Sequence, residues 1–289
     1  MSRMVQEAAG LSFPQHLHAA YVFDLDGTIY LGEELLPGAA RLIAELRRRE
    51  IPVRFLSNNP TKDPVMYAAM LTRLGLATAV GDVVNTVVTT VRWLQRHHPD
   101  AVVFALAEEP LLRALREAGF RLSEDPSLID VVIASYDRTF DYRKLQIAFD
   151  ALWFHKRAIL VQTNPDRYCP FPGGRGEPDA AAITAAIEAC SGVRCSASFG
   201  KPDPLMIEAA LAGLEVPFDD VVMVGDRLHT DIRMAQDAGM ASALVLTGDT
   251  SAEAAGTLAP ADRPTYVLDR LDRLIPASLW SELGWSDET

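Results

Sequence analysis

Ala20-Tyr21-Val22-Phe23-Asp24-Leu25-Asp26-Gly27-Thr28 opens as an unbroken apolar run and closes on two carboxylates two residues apart. Ala20–Asp24 reads as a strand buried on both faces, because its apolar character does not alternate. Gly27 then lets the chain turn sharply. The D-x-D-G pattern also occurs in EF-hand calcium loops. In that register Val22 would fill the first ligand position, where it offers no oxygen, and a strand rather than a helix precedes it. The calcium-loop reading is therefore set aside.

Working outward, similar short runs recur at Pro52–Ser57, Ala101–Leu106, Asp130–Ser135, Ala158–Thr163, Val221–Val224 and Ala241–Leu246. Helical signals separate them. Pro37–Arg49 is one. Pro64–Leu74 is another, with Asp63 as N-cap and Pro64 in the first turn. Asp203 and Pro204 repeat that start signal before Leu205–Ala212. Strands alternating with helices predict an α/β fold built on a mainly parallel sheet. Asn164–Pro178 holds four prolines and three glycines and reads as a loop after a strand, where α/β proteins place ligands.

Three further segments offer chemistry. Ser57-Asn58-Asn59 closes a strand with hydroxyl and amide donors suited to a phosphate. Gly200-Lys201-Pro202-Asp203-Pro204 puts a cation just before a helix. Gly225-Asp226-Arg227-Leu228-His229-Thr230-Asp231 places two more carboxylates after a strand, oxygen ligands of the kind Mg²⁺ accepts. Taken singly, Ser57-Asn58-Asn59 looks like an ordinary turn and Lys201 like a solvated lysine before a helix. Together with Asp24 and Asp26, the four supply a nucleophile, a general acid/base, a metal site and anion donors.

This set resembles the four motifs of the haloacid dehalogenase superfamily. Asp24–Gly38 (DLDGTIYLGEELLPG), Thr163-Asn164-Pro165-Asp166 and the helix Ala180–Gly192 resemble its NagD and p-nitrophenylphosphatase branch most closely. The resemblance implies a Rossmann-like core of residues 1–97 and 196–289, with an inserted α/β cap at 98–195. It implies Asp24 as nucleophile and Asp26 as general acid and base. Ser57, Asn58 and Lys201 would hold phosphoryl oxygens, and Thr28 would position the acid/base. Mg²⁺ would sit on the Asp24 carboxylate, the Asp26 backbone carbonyl and the Asp226 carboxylate, with Asp231 behind it or beside Lys201. The acid at Asp26 argues against C–Cl cleavage, which needs none.

The same resemblance implies a phosphatase acting on a small phosphomonoester. A sugar phosphate, nucleoside monophosphate, phosphoglycolate or p-nitrophenyl phosphate would each fit. A phosphomutase and a non-catalytic phosphate-binding protein are the competing readings on the same fold. Asn164, Asp166, Arg167, Tyr168 and Arg175 are the candidate specificity residues in the cap. Relatives often carry P-G-x-G-A before the last cap helix. Here Glu177-Pro178-Asp179-Ala180-Ala181 stands instead, which counts against nucleotide or pyridoxal substrates. The resemblance also allows a homodimer.

Composition bounds the partners, and if the substrate is an anion the site must supply its own local positive charge. The 289 residues carry 27 Lys plus Arg against 39 Asp plus Glu, a net charge of −12. So acidic a chain is poorly suited to nucleic acid, which is held by neutralising phosphates. No apolar run approaches a membrane span, and the first residues lack a secretory signal, so a cytoplasmic protein is expected. Three cysteines without a C-x-x-C predict reduced thiols. His16, His18, His97 and His98 fall outside the motifs and read as surface or packing residues. His229, between two motif carboxylates, reads as structural. Trp280 and Trp285 are expected to pack on the core or on a partner.

Overall fold

A computed structural model of the chain describes residues 10–171 and 175–286. Among them the strands are, in chain order, β1 (Ala20–Asp24), β2 (Tyr30–Leu31), β3 (Glu34–Leu35), β4 (Val53–Ser57), β5 (Val83–Asn85), β6 (Val102–Leu106) and β7 (Arg121–Leu122). There follow β8 (Val131–Ala134), β9 (Ile159–Gln162), β10 (Tyr168–Phe171), β11 (Arg175–Pro178), β12 (Val221–Gly225), β13 (Ala241–Val245) and β14 (Tyr266–Leu268). The fold is α/β. Six strands form one sheet in the order β14-β13-β12-β1-β4-β5. The pairs β1–β12, β1–β4, β12–β13 and β13–β14 are parallel.

The chain divides into two compact units. One comprises Met1–Leu56, Ala68–Val83 and Ala210–Thr289; the other comprises Ser57–Tyr67 and Val84–Ala209. In the first, every residue of β1 and β12 is buried, as a sheet covered on both faces requires. The helix Ala39–Arg48 buries Ala39, Leu42, Ile43 and Leu46 on one stripe, the i, i+3, i+4, i+7 spacing of a core-facing helix. Its last turn carries Arg47 and Arg48, which suit the negative end of the dipole. Arg48 and Arg49 both bond the buried Glu45, at 2.7 and 2.5 Å. These bonds, Arg48's foremost, hold the Glu45 carboxyl down to about 2.

The second unit is built on a four-stranded parallel sheet in the order β7-β6-β8-β9. Successive side chains of a strand point to opposite faces, and the core divides accordingly. Val103, Val131, Ile133 and Val161 pack on one face with Leu94, Leu111, Leu115 and Phe199. Phe104, Leu106, Val132, Ala134 and Leu160 pack on the other with Ile147, Ile183 and Ile187. Helices Thr86–His97 and Glu109–Glu117 thus cover one face, and Tyr142–Phe149 and Ala180–Ser191 the other.

The stretch expected as a loop is in part a β-hairpin. Tyr168 pairs with Pro178 and Phe171 with Arg175, antiparallel. Pairing satisfies backbone groups that the proline and glycine content alone does not place. No helix among the described residues is long and apolar enough to cross a membrane. Trp280 is buried, with Trp285 edge-on to it at 6.0 Å and Arg41 over both rings.

Candidate active site

Asp24 is the last residue of β1, and Asp226 follows β12 directly. Phe23 lies opposite Val224 in the register, so both carboxylates leave the same carboxyl edge of adjacent parallel strands, where α/β sheets bind ligands. Asp231 returns to that edge from the turn Leu228–Ile232. The carboxylates of Asp24, Asp226 and Asp231 are buried and lie within 4.8 Å of one another.

Three glycines make room for them. A Cβ on Gly27 would come within 2.5 Å of Asp226 Oδ2, one on Gly248 within 2.0 Å, and one on Gly225 within 2.3 Å of the Asp231 carboxylate. Gly27 also has φ +83°, the left-handed conformation that side chains other than glycine's resist. The Thr247 hydroxyl donates to the Gly27 carbonyl at 2.8 Å, and the Asp249 amide donates to Asp226 Oδ2 at 2.7 Å. Asp226 Oδ1 is buried and receives no hydrogen bond. Burial first, then the charges of Asp24 and Asp231, push the Asp226 carboxyl well above the ordinary carboxylate range. Crowded, desolvated carboxylates with an unused oxygen are the donor set of a hard divalent cation, so the residues fit Mg²⁺.

Asp26, two residues on, is exposed. The Tyr30 hydroxyl donates to its Oδ2 at 3.0 Å, and Gly27 N–H bonds Tyr30 O at 2.8 Å. Strand end, tight turn and tyrosine together fix where this second carboxylate stands. Thr28 is fully buried, and its hydroxyl has no hydrogen-bond partner among the described residues. His229 is exposed.

A second group of polar side chains gathers in the other unit. Ser57 ends β4, buried, with its hydroxyl 2.9 Å from the Tyr67 hydroxyl and accepting from Asn59 N–H at 3.2 Å. Asn58 and Lys201 bond reciprocally: Lys201 N–H donates to Asn58 Oδ1 at 2.7 Å, and Asn58 Nδ2 to the Lys201 carbonyl at 3.1 Å. A Cβ on Gly200 would stand 2.8 Å from both Asn58 Oδ1 and Asn164 Cβ. Lys201 is buried. The following helix starts only at Leu205, whose N–H donates to Asp203 Oδ1 at 3.0 Å. A carboxylate, not the lysine, therefore serves that helix start.

Asp166 Oδ2 accepts from Asn58 Nδ2 at 2.8 Å and from Asn164 Nδ2 at 2.9 Å. Asn164 also donates to Asp179 Oδ1 at 3.2 Å, and Asp179 caps the helix Ala180–Ser191 through Ala180 N–H at 2.6 Å. The carboxylate replacing the relatives' glycine-rich turn is thus turned inward and occupied. Glu177 accepts the Tyr136 hydroxyl. Arg167, Tyr168 and Arg175 are exposed on the hairpin.

So the structure brings Asp24, Asp226 and Asp231 together in one unit, and Asn58, Lys201, Asn164 and Asp166 together in the other. Sequence reasoning passed over Tyr30, Gly248 and Asp249, and it named Asp179 without its role as a helix cap bonded to Asn164. Thr247-Gly248-Asp249-Thr250 follows a strand just as the four motifs do, and Asp179 stands one residue before a helix. Those signals were available. Nothing local marked Tyr30.

Comparison with known proteins agrees with this arrangement. A family model for haloacid dehalogenase-like hydrolases matches residues 21–121, and a HAD-hydrolase-like model matches residues 198–274. The acid sugar phosphatase of Staphylococcus saprophyticus is 33% identical over 89% of this chain and 97% of its own length. The sugar-phosphatase AraL of Bacillus subtilis is 34% identical over 88% and 90%. The crystal structure of a Thermotoga maritima 4-nitrophenylphosphatase superposes with a TM-score of 0.83 at 31% identity, covering 89% of this chain and 96% of that one. NagD from Escherichia coli superposes with a TM-score of 0.78 at 25% identity, covering 89% and 98%. The chain belongs to the haloacid dehalogenase-like hydrolases, in the branch of phosphatases that includes NagD and the p-nitrophenylphosphatases.

Proposed function

We propose that the protein is a Mg²⁺-dependent phosphomonoester hydrolase working through an aspartyl-phosphate on Asp24, with a sugar phosphate as the favoured substrate class. The observation that carries this reading is the buried Asp24–Asp226–Asp231 cluster with the exposed, Tyr30-held Asp26 two residues from Asp24. Sugar-phosphate preference rests on the relatives' names. Aryl phosphates, nucleoside monophosphates and phosphoglycolate are the neighbouring substrates to compare.

In the first half-reaction an Asp24 oxygen attacks phosphorus, and the bond from phosphorus to the leaving oxygen breaks. Asp26 gives its proton to that oxygen. In the second, water attacks phosphorus, the bond to Asp24 breaks and inorganic phosphate leaves. Asp26 takes the water's proton and is restored. One group serves both steps because the second runs the proton transfer in reverse. Tyr30 orients Asp26 for both. Ser57, Asn58 and Lys201 are assigned to the phosphoryl oxygens, and the Lys201 ammonium offsets their charge. Thr28, buried in the turn, is assigned to positioning the acid/base beside the phosphoryl group. The Asp24 and Asp226 carboxylates and the Asp26 carbonyl, with Asp231 close by, would hold Mg²⁺, whose charge would offset the repulsion between Asp24 and a phosphate dianion. Residues 98–195 act as a cap that excludes water and selects the substrate. Within it, Asn164 and Asp166 shape the base of the specificity hairpin, and Arg167, Tyr168 and Arg175 meet the part of the substrate remote from phosphorus.

The test is phosphate release from a broad panel of phosphomonoesters, with Mg²⁺ or EDTA, by wild type and Asp24→Asn. Turnover that needs both Mg²⁺ and Asp24 supports the mechanism, and the highest kcat/KM names the substrate class. Absence of release from every compound by folded, Mg²⁺-loaded protein would overturn it. Transfer of the phosphoryl group to a second hydroxyl without phosphate release would indicate a mutase instead.

A further inference from the structure

Away from the catalytic edge, His16, His18 and Asp220 converge. The ligating atoms of the three side chains lie within 4.8 Å of one another. His18 stands two residues before β1, and Asp220 immediately precedes β12. The strands are parallel, so both residues stand at the amino edge of the sheet, whereas Asp24 and Asp226 stand at its carboxyl edge. At roughly 3.3 Å per residue, the five residues of β1 put about 15 Å between the two places.

Several features make this more than a chance meeting of polar groups. His18 is only 5% exposed, yet its Nδ1 is buried without a hydrogen bond. That nitrogen points at Asp220 Oδ1, 3.6 Å away. The other ring nitrogen, Nε2, lies 3.1 Å from the Tyr266 hydroxyl. A ligating histidine nearly always has its second nitrogen held in this way, which fixes the ring and leaves the first nitrogen's lone pair directed at the metal. The backbone is pinned too. Ala19 N–H donates to the Asp220 carbonyl at 2.9 Å, and His18 N–H donates to the Tyr21 hydroxyl at 3.2 Å. The rings of His16 and His18 are 5.1 Å apart.

We propose that His16, His18 and Asp220 form a second metal site, selective for Zn²⁺-like borderline cations and independent of the catalytic Mg²⁺. Two imidazoles and one carboxylate are ligands that favour Zn²⁺ over Mg²⁺. Tetrahedral bonds of about 2.0–2.2 Å would set the ligand atoms about 3.3 Å apart. The His18–Asp220 separation is already close to that. His16 is exposed and Asp220 partly so, so both can close by the remaining ångström or so onto the fixed His18. Water completes the fourth position. The ion would tie the segment leading into β1 to the start of β12, a structural clamp on the two strands that carry Asp24 and Asp226.

The test uses the full-length protein held in excess Mg²⁺, with Zn²⁺ or Co²⁺ added alone. We expect one Zn²⁺ per chain by equilibrium dialysis, a Co²⁺ visible spectrum of low coordination number, and a rise in Tm. At a hundredfold excess of Zn²⁺ over Kd the rise is about 5 °C. His16→Ala and Asp220→Asn alter exposed or partly exposed groups and leave the buried His18 in place. Each should abolish the spectrum and the Tm rise while keeping the circular dichroism and Mg²⁺-dependent activity of wild type. Unchanged Zn²⁺ binding in both variants would overturn the proposal. So would no binding in wild type, or binding that vanishes in Asp226→Asn but persists in His16→Ala, which would assign the ion to the catalytic cluster.

Discussion

Replacing Asp226 by Asn should make the metal-free protein more stable while destroying its response to Mg²⁺. Asp226 is 3% exposed, stands in a cluster with two other buried carboxylates, and leaves Oδ1 without a hydrogen bond. Its carboxyl is raised from 3.8 to about 8. A group raised in this way contributes stability that is complete below the unfolded value and is lost as pH climbs through the folded value. Between pH 4 and pH 8, therefore, the metal-free protein loses stability at this site. At pH 7 the loss is a little over 4 kcal/mol, taking about 1.4 kcal/mol for each pH unit above 3.8. Asn is of the same shape, keeps an acceptor for the Asp249 amide and carries no charge. Asp24 and Asp231 remain, and the site relaxes, so about half of that figure, roughly 2 kcal/mol, should be recovered. For a chain of this size that is a gain of about 4 °C in Tm. Differential scanning fluorimetry in EDTA at pH 7 measures it directly. Added Mg²⁺ should raise the Tm of wild type and leave Asp226→Asn unmoved. A variant that melts below wild type in EDTA, or still responds to Mg²⁺, would refute the view that this cluster is destabilising until a cation neutralises it.

Gly248→Ala should weaken Mg²⁺ binding at least tenfold by calorimetry and cost about 1–3 kcal/mol in urea denaturation, because the new Cβ would stand 2.0 Å from Asp226 Oδ2. Gly256→Ala, with nothing within 4 Å of its Cβ, is the matched control and should be neutral. Tyr30→Phe removes the hydroxyl bonded to Asp26 and should lower kcat about tenfold with little change in KM; steady-state kinetics showing the reverse pattern would remove Tyr30 from the role of orienting the acid. Glu45 is held at about 2, against 4.5 when unfolded, by Arg48 first and Arg49 as well. That contribution is present above pH 4.5 and lost as pH falls toward 2, so Glu45→Gln should cost about 1 kcal/mol at pH 7 and progressively less under acid. Urea titrations at pH 7 and pH 3 that gave the same difference would contradict it.

What the chain discloses by itself follows from the range of the interactions involved. β1, β4, β6, β8, β9, β12 and β13 announce themselves because strands buried on both faces must be apolar throughout. Asp63 and Pro64 announce a helix because the start of a helix needs an acceptor for its free N–H groups, and Asp63 Oδ1 does accept from Met66 at 2.8 Å. β5 and β14 stay hidden because three residues are too few for a pattern. β10 and β11 stay hidden because their side chains face solvent and their prolines and glycines mimic a loop. At the site, the side chains that carry chemistry stand out by type and by position after strands. Their supports do not. Thr247 bonds Gly27 across 220 positions, and Asn58 meets Asp166 across 108. Such distances exist only once the sheet has formed.

The hairpin Tyr168–Pro178 is a ribbon of two strands, joined to no other strand in its sheet. Most of its described side chains are in solvent, while Glu177 accepts from the Tyr136 hydroxyl and the base, at Asn164, Asp166 and Asp179, is tied into a hydrogen-bond network. Substitutions along it touch neither hydrophobic core, so they cost little stability. The glycine-walled carboxylates have no such latitude, since even one added methyl collides there. Selection therefore works on two tempos within one chain. The groups proposed to carry the reaction are held still by steric necessity, while the ribbon proposed to meet the substrate is freer to drift and be sampled without first acquiring a stabilising mutation elsewhere.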